Sequence, residues 1–475
     1  MSDNFWSKPE ETDLELDPLT SLLAEWSDPV EDEEDFNSDF FLGLEGRRRK
    51  AAFTLIMIWG IVITLHLVAW GTWLVISVTG ILAVYCLRLI VAKPAADPLP
   101  LTEGQLASAP TVSLLVAAKN EEAVIERLVK TLCAVDYPQD KYEVWVIDDA
   151  SSDRTPEILD ALALDYPQLR VVHRPPNAGG GKSGALNQVL PQTQGDIIGV
   201  FDADAVVTSD ILRRVVPMFR PENVGAVQVR KAISNTGLNF WTKGQTTEMA
   251  LDSYFQQQRV AIGGIGELRG NGQFVRRKAL ASCGGWNEET ITDDLDLTIR
   301  LHLDDWDIDF CLFPAVYEEG VTRPQALWHQ RSRWAEGGYQ RYLDYWRLIL
   351  RKPMGFVKTV DLLMFVMTQY IFPTALVPDV MMMILRHHGS VLAPLSALTV
   401  PFAFVGMSVG LSRINRPSPL SFAQLLGYWG QSLRGTLYMC HWIVVMVATT
   451  GRMSIRPKRL KWVKTVHQGS EERLA

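Results

Sequence analysis

A chain of 475 residues with 47% hydrophobic content has room for one large domain together with membrane segments, at roughly 100 to 200 residues per domain. Its net charge of −8 comes from one end: residues 1–46 hold 15 Asp and Glu against the single Lys8, so the head stands at −14 and the other 429 residues at +6. Five cysteines without C-x-x-C spacing and eight histidines without ligand spacing argue against a disulfide scaffold and a zinc site, and no nucleic-acid partner is expected.

Residues 1–50 form an acidic head with Pro9, Pro18 and Pro29 and the run Glu31-Asp32-Glu33-Glu34-Asp35. It has too little apolar surface to offset its ordering entropy, so a mostly disordered cytosolic tail is expected. The start Met1-Ser2-Asp3 lacks a basic n-region, and the first hydrophobic segment is expected to be retained. From Ala51 to Leu87 there is no Asp, Glu, Lys or Arg over 37 residues, about 55 Å as helix and nearly twice a hydrocarbon core of roughly 30 Å. The spacing predicts two membrane helices over 51–92, broken at Trp70-Gly71-Thr72-Trp73. Arg47-Arg48-Arg49-Lys50 before them, and Arg88 and Lys93 after, place both outer ends in the cytosol. Residues 93–110 read as a linker.

Over 111–340 short apolar runs alternate with helical patterns. Strands are expected at Val112–Ala117, Glu143–Ile147, Leu169–His173, Asp196–Phe201, Val224–Val229 and Ile308–Phe313, and helices at Glu121–Cys133, Arg154–Leu164, Ser183–Leu190 and Leu295–His302. Such alternation predicts an α/β fold, a doubly wound and mostly parallel sheet whose ligand sites lie at the carboxyl ends of its strands. Residues 341–360, mixing aromatic and aliphatic residues with Arg341, Arg347 and Arg351, predict an interfacial helix. Within 361–451, Leu362–Pro378, Ser390–Ser412 and Leu437–Thr450 read as membrane segments, and 452–475 as a basic cytosolic tail. Three spans would put that tail outside, so either one segment is re-entrant or interfacial, or Phe422–Thr450 folds as a membrane hairpin. Asp379 is either a functional intramembrane acid or an interfacial one.

Acids stand where the strands end. Asp202-Ala203-Asp204 follows the run to Phe201, a pair suited to holding a divalent ion against a diphosphate; a bare turn or helix cap would also use such residues. Upstream lie Asp148 and Asp149, and downstream Thr292-Asp293-Asp294-Leu295-Asp296, whose crowded like charges call for a cation or a titrating role. Gln330-Arg331-Ser332-Arg333-Trp334 comes last. Asn177 to Gly184 carries Gly181-Lys182-Ser183, the end of a P-loop, but its first position is Pro176.

In that order the four elements resemble the D, DxD, (T)ED and QxxRW pattern of inverting family-2 glycosyltransferases, with Asp293 in place of the glutamate. The resemblance covers about residues 110 to 340 and implies a GT-A nucleotide-diphospho-sugar transferase domain flanked by transmembrane helices. It implies Asp294 as catalytic base, and Asn120, Glu121, Asp148, Asp149, Lys182 and Asp202 around the donor. Asp202 and Asp204 would hold the metal, and Gln330, Arg333 and Trp334 would serve the acceptor and the diphosphate. Gly270-Asn271-Gly272-Gln273 and Cys283-Gly284-Gly285-Trp286 resemble the acceptor loop and the G-G-W region, though plain turns explain them nearly as well. The flanks resemble the cyanobacterial branch that glucosylates diacylglycerol. That branch implies a UDP-sugar donor (UDP-glucose), diacylglycerol or another membrane lipid as acceptor, Mg²⁺ (or Mn²⁺) as metal, and a cyanobacterial plasma or thylakoid membrane as location. A processive β-glycan synthase would share the same blocks, and a silent membrane scaffold is a third reading.

Overall fold

A computed structural model describes residues 46–352, 354–415 and 420–455; the acidic head and the tail beyond 455 lie outside them. The principal helices are α1 (Arg47–Leu67), α2 (Gly71–Val91), α3 (Ile125–Cys133), α4 (Thr155–Asp165), α5 (Gly181–Val189), α6 (Phe240–Ala261), α7 (Asp293–Leu303), α8 (Pro324–Arg351), α9 (Phe356–Arg386), α10 (Ala393–Asn415), α11 (Phe422–Met439) and α12 (His441–Ile455). The strands are β1 (Val112–Ala118), β2 (Tyr142–Asp148), β3 (Leu169–His173), β4 (Ile197–Phe201), β5 (Val224–Ile233), β6 (Gln273–Arg276) and β7 (Asp307–Glu318).

The strands form one sheet in the order β3-β2-β1-β4-β6-β5-β7. β1 runs parallel to β2 and β4, and β2 to β3, so the first four strands are the doubly wound unit the alternation predicts. β1, β2 and β4 are buried almost throughout because helices cover both faces. Leu114 and Val116 face one core layer with Ile125, Leu128 and Leu132 of α3, while Leu115 faces the other with Leu186, Val200 and Leu297. The far half departs from expectation. β6 runs antiparallel to both β4 and β5, while β7 is parallel to β5, so the sheet is mixed. β6 has only four residues, too few for a periodic signal, and α6 buries polar side chains such as Gln245, Gln256 and Gln258. A polar buried face leaves no apolar stripe to read.

Among the described residues four helices are long and apolar enough to cross a membrane: α1, α2, α9 and α10. α1 and α2 meet at a turn of Val68–Trp70, where a Cβ on Gly71 would lie 2.0 Å from the Leu65 carbonyl oxygen, so only glycine fits. The stretch read as a span at Leu437–Thr450 is divided at Cys440. α11 packs on α6 and α10, α12 on α1 and α8. At 15 residues, α12 is about 22 Å long, short of a bilayer core. The stretch expected as an interfacial helix over 341–360 is largely the second half of the 28-residue α8, where Trp346, Leu348 and Leu350 are exposed. Two of its charged positions turn inward, Arg341 pairing with Glu267 at 3.0 Å and Asp344 accepting from Arg47 Nε at 2.7 Å, while Arg347 and Arg351 stay exposed. Asp379 is buried under His66 Nε2 at 2.9 Å and the backbone N–H groups of Val391 and Leu392. It staples the turn that precedes α10.

Candidate active site

The carboxyl ends of β1, β4, β5 and β7 and the N-terminal turns of α5 and α7 converge on one cavity of about 940 Å³. At its polar end α5 opens on Gly180 and Gly181, both with positive φ. A side chain on Gly180 would meet Glu288 and the Gly184 backbone. This tight opening aims Lys182 Nζ at Asp202 Oδ1, 2.6 Å away. Burial alone would raise the Asp202 pKa, but Lys182, with Lys231 and Arg333 behind it, holds the carboxyl below its usual range.

Asp204 lies on the same turn with 7% of its surface exposed and accepts a hydrogen bond from the Glu319 N–H at 3.1 Å. Burial, then the charges of Glu318 and Asp202, push its carboxyl up to about 7. Lys231 of β5 pairs with Glu318 at 2.9 Å. Among the described residues no three His, Cys, Asp or Glu side chains are grouped to hold an ion alone. Two carboxylates completed by substrate phosphates is how Mg²⁺ is usually bound in phosphate-handling sites, and the residues present fit that pattern.

Asp293 and Asp294 form the first turn of α7. Asp294 Oδ1 accepts from the Leu295 N–H at 2.8 Å, and Oδ2 faces Gly270, whose Cβ would lie 3.3 Å away. Burial, then Asp293, raise the Asp294 carboxyl to about 6, against Lys182 and Lys231. Asp296 has a different task, accepting from Asn287 Nδ2 and Tyr345 OH and pairing with Arg300. Gln330, Arg333 and Trp334 line the cavity from α8. Trp334 is flanked by the Arg331 guanidinium 4.0 Å from its ring centre and by Lys231 at 5.3 Å.

Lys182, Asp202, Asp204, Asp294, Gln330, Arg333 and Trp334 thus share one cavity with Glu121 and Asp149. Two expected residues do not line it. Asp148 is 3% exposed and spent on the Ser151 N–H and the His173 ring. Asn120, at φ 54, accepts from the Ser152 N–H at 2.7 Å. Both tie loops together beside Glu121 and Asp149, which do line the cavity. Trp286 belongs to the core, its backbone bonded to Asn187. Lys231, Glu318 and Glu248 escape the sequence reading. Glu318-Glu319 after β7 is the same kind of signal as Asp202-Ala203-Asp204, acids at a strand's carboxyl end, whereas Lys231 and Glu248 carry no local signal.

The cavity does not stop at the charged groups. It continues past Arg269, Asp252 and Arg259 into a wall of Leu82, Phe255, Phe372, Phe402 and Met407, between α2, α6, α9 and α10.

A model of the glycosyltransferase-like family 2 matches residues 109–337. The chain is 58% identical to a β-monoglucosyldiacylglycerol synthase of Synechocystis sp. over 97% of each chain. It is also 58% identical to the enzyme of that name from Trichormus variabilis, over 96% of this chain and 97% of the relative. Among solved structures, the mannosyltransferase PcManGT from Pyrobaculum calidifontis, in complex with GDP-Man and Mn²⁺, aligns over 80% of this chain and 99% of its own with a TM-score of 0.52 and 21% identity. That likeness establishes the GT-A fold.

Proposed function

Because the chain belongs to the family-2 glycosyltransferases, in the group with the cyanobacterial β-monoglucosyldiacylglycerol synthases, we propose that it transfers glucose from UDP-glucose to the free hydroxyl of 1,2-diacylglycerol. The product is β-monoglucosyldiacylglycerol. The observation that carries the reading is the single cavity joining a carboxylate- and lysine-lined end to an apolar end between membrane-length helices. Such a passage gives a soluble sugar nucleotide and a lipid each an end that suits its chemistry.

Asp294 is the base in this reading. It takes the acceptor proton as the acceptor oxygen attacks the anomeric carbon, and the bond from that carbon to the diphosphate breaks on the opposite face, inverting the configuration. UDP leaves with its negative charge facing Lys182, Arg333 and Lys231. A divalent ion, Mg²⁺ or Mn²⁺, held by Asp202 and Asp204 would neutralise diphosphate charge when bound. Trp334 offers an aromatic face to the sugar and acceptor. Glu121 and Asp149, just beyond the ends of β1 and β2 on the cavity wall, would meet the nucleoside. The four membrane-length helices among the described residues, two before and two after the domain, support a multi-pass membrane protein, and the basic flank at Arg47–Lys50 favours the cytosol for the catalytic domain.

Detergent-purified protein given Mg²⁺, diacylglycerol and labelled UDP-glucose or UDP-galactose should form one mobile, alkali-sensitive glucolipid on thin-layer chromatography, with UDP-glucose preferred. Label fixed at the origin and released by a β-glucanase would mean a polymer synthase instead. EDTA should abolish turnover and added Mg²⁺ or Mn²⁺ should restore it; full activity in EDTA would remove the metal from the scheme.

A further inference from the structure

α9 is interrupted at Met367–Ile371 by one π-helical turn. Such turns place an extra residue in the helix and often mark functional sites. What holds this one is visible in its neighbours. The Tyr370 ring is buried and packs edge-on against Tyr339 and Tyr342 of α8, at 5.0 and 5.3 Å between ring centres. The Tyr370 carbonyl accepts from Tyr339 OH at 3.2 Å and from Thr374 Oγ1 at 2.8 Å. Gly338 of α8 leaves room for the hydroxyl, since a Cβ there would lie 2.1 Å from Tyr370 OH. The turn is therefore fastened to the same helix that carries Gln330, Arg333 and Trp334.

The residue just before this anchor, Gln369, lines the cavity and is exposed within it. Its amide makes no hydrogen bond to any described residue. Thr368 beside it is spent on its own helix, donating to the Met364 and Phe365 carbonyls. An amide with two donors and an acceptor, unpartnered within a helix of membrane-spanning length, is costly unless a ligand or water meets it. The cavity it lines brings together two chemistries: the Arg269 and Asp252 charges, 2.8 Å apart, adjoining Gly270 and so Asp294, and the apolar side chains of Phe372, Leu376 and Phe402, the first two following Gln369 on α9.

A diacylglycerol has the same succession of chemistry: a hydroxyl, then two ester carbonyls a few bonds away, then acyl chains. Resting on the lipid-acceptor reading above, we propose that Gln369 is an acceptor-recognition residue. Its amide N–H donates to an ester carbonyl of the diacylglycerol glycerol backbone, setting the depth at which the free hydroxyl meets Asp294. The site thereby selects a lipid with acceptor groups one ester from its hydroxyl.

The test uses full-length enzyme in mixed micelles with Gln369→Met, a change close in length and shape that suits an apolar span. Acceptors are a diacylglycerol and the matching dialkylglycerol, whose ethers lack the carbonyls. The variant should raise the KM for diacylglycerol about three- to tenfold, the scale of one lost hydrogen bond, while kcat and the KM for UDP-glucose stay within about twofold. With the ether acceptor, wild type should already show the higher KM and the variant should add nothing. An unchanged KM for diacylglycerol, an equal loss on both acceptors, or a fall confined to kcat would overturn the assignment of Gln369 alone. A wild type that glucosylates no diacylglycerol would overturn the acceptor reading and this inference with it.

Discussion

Asp294 carries the sharpest consequence at the scale of single residues. Its carboxyl is raised to about 6 by burial and by Asp293, so it is neutral below that pH and ionised above it. A base must be ionised to accept a proton. The kcat/KM for the donor, which reports the free enzyme, should therefore drop about tenfold per pH unit below 6 and level off above about 7. Asp293→Asn removes one of the raising charges and should move the midpoint of that profile to lower pH; an unmoved midpoint would separate Asp293 from the titration. Asp294→Asn should cost about 10² to 10⁴ in kcat with protein of unchanged thermal stability, as read by steady-state kinetics and a melting curve. Most of these acids were legible in the sequence because a charged residue after an apolar β run can sit only at a strand end. What was not legible is which acid of a pair faces the cavity. Asp148 and Asp149 are neighbours, yet the first is consumed by Ser151 and His173 and the second meets Arg174 and lines the site.

Among elements, the C-terminal helices reach into the catalytic apparatus. Glu248 of α6 accepts from Arg331, from Tyr438 OH of α11 at 3.0 Å and from Trp442 Nε1 of α12 at 2.8 Å. Arg331 in turn stacks on Trp334. Trp334 is thus held from behind by a buried charge pair that α11 and α12 complete. Trp442→Phe, which removes one hydrogen bond, and Tyr438→Phe, which removes the bond to Glu248 and the one from Arg331, should each lower kcat/KM for the lipid by roughly two- to tenfold. Because both act on Glu248, the double variant should lose less than the product of the two; strictly multiplicative losses in the kinetics would mean they act independently. The sequence showed Gln330, Arg333 and Trp334 as a block but not this support, whose members lie 83 to 194 residues apart. The same limit explains β6 and α6: one is set by pairing with distant strands and the other buries a polar face, so neither writes a local period.

Across the whole molecule, the membrane helices and the catalytic domain share their packing. α10 lies on α6 through glycines: a Cβ on Gly410 would come 2.2 Å from the Ala250 carbonyl oxygen, and one on Gly406 would come 2.8 Å from Leu251. Gly410→Ala should cost about 1 to 3 kcal/mol by overpacking, seen as a lower unfolding midpoint in detergent, with lipid turnover falling more than expected from the remaining folded fraction. The doubly wound half of the sheet and the hydrophobic runs were readable because each buries a continuous apolar surface. The division of the apolar stretch before residue 455 into α11 and α12 was not, because α12 is apolar yet short and covers α1 and α8.

The passage between α2, α6, α9 and α10 also sets the currency in which this enzyme counts its substrate. An acceptor that reaches the catalytic carboxylates sideways from a bilayer is encountered at its mole fraction among the surrounding lipids, not at its concentration per volume. Adding inert lipid or detergent at constant total substrate therefore slows turnover by surface dilution. The glucosylated product, leaving by the same route, remains in that plane as a competitor whose removal by a following step sets how long the enzyme can run.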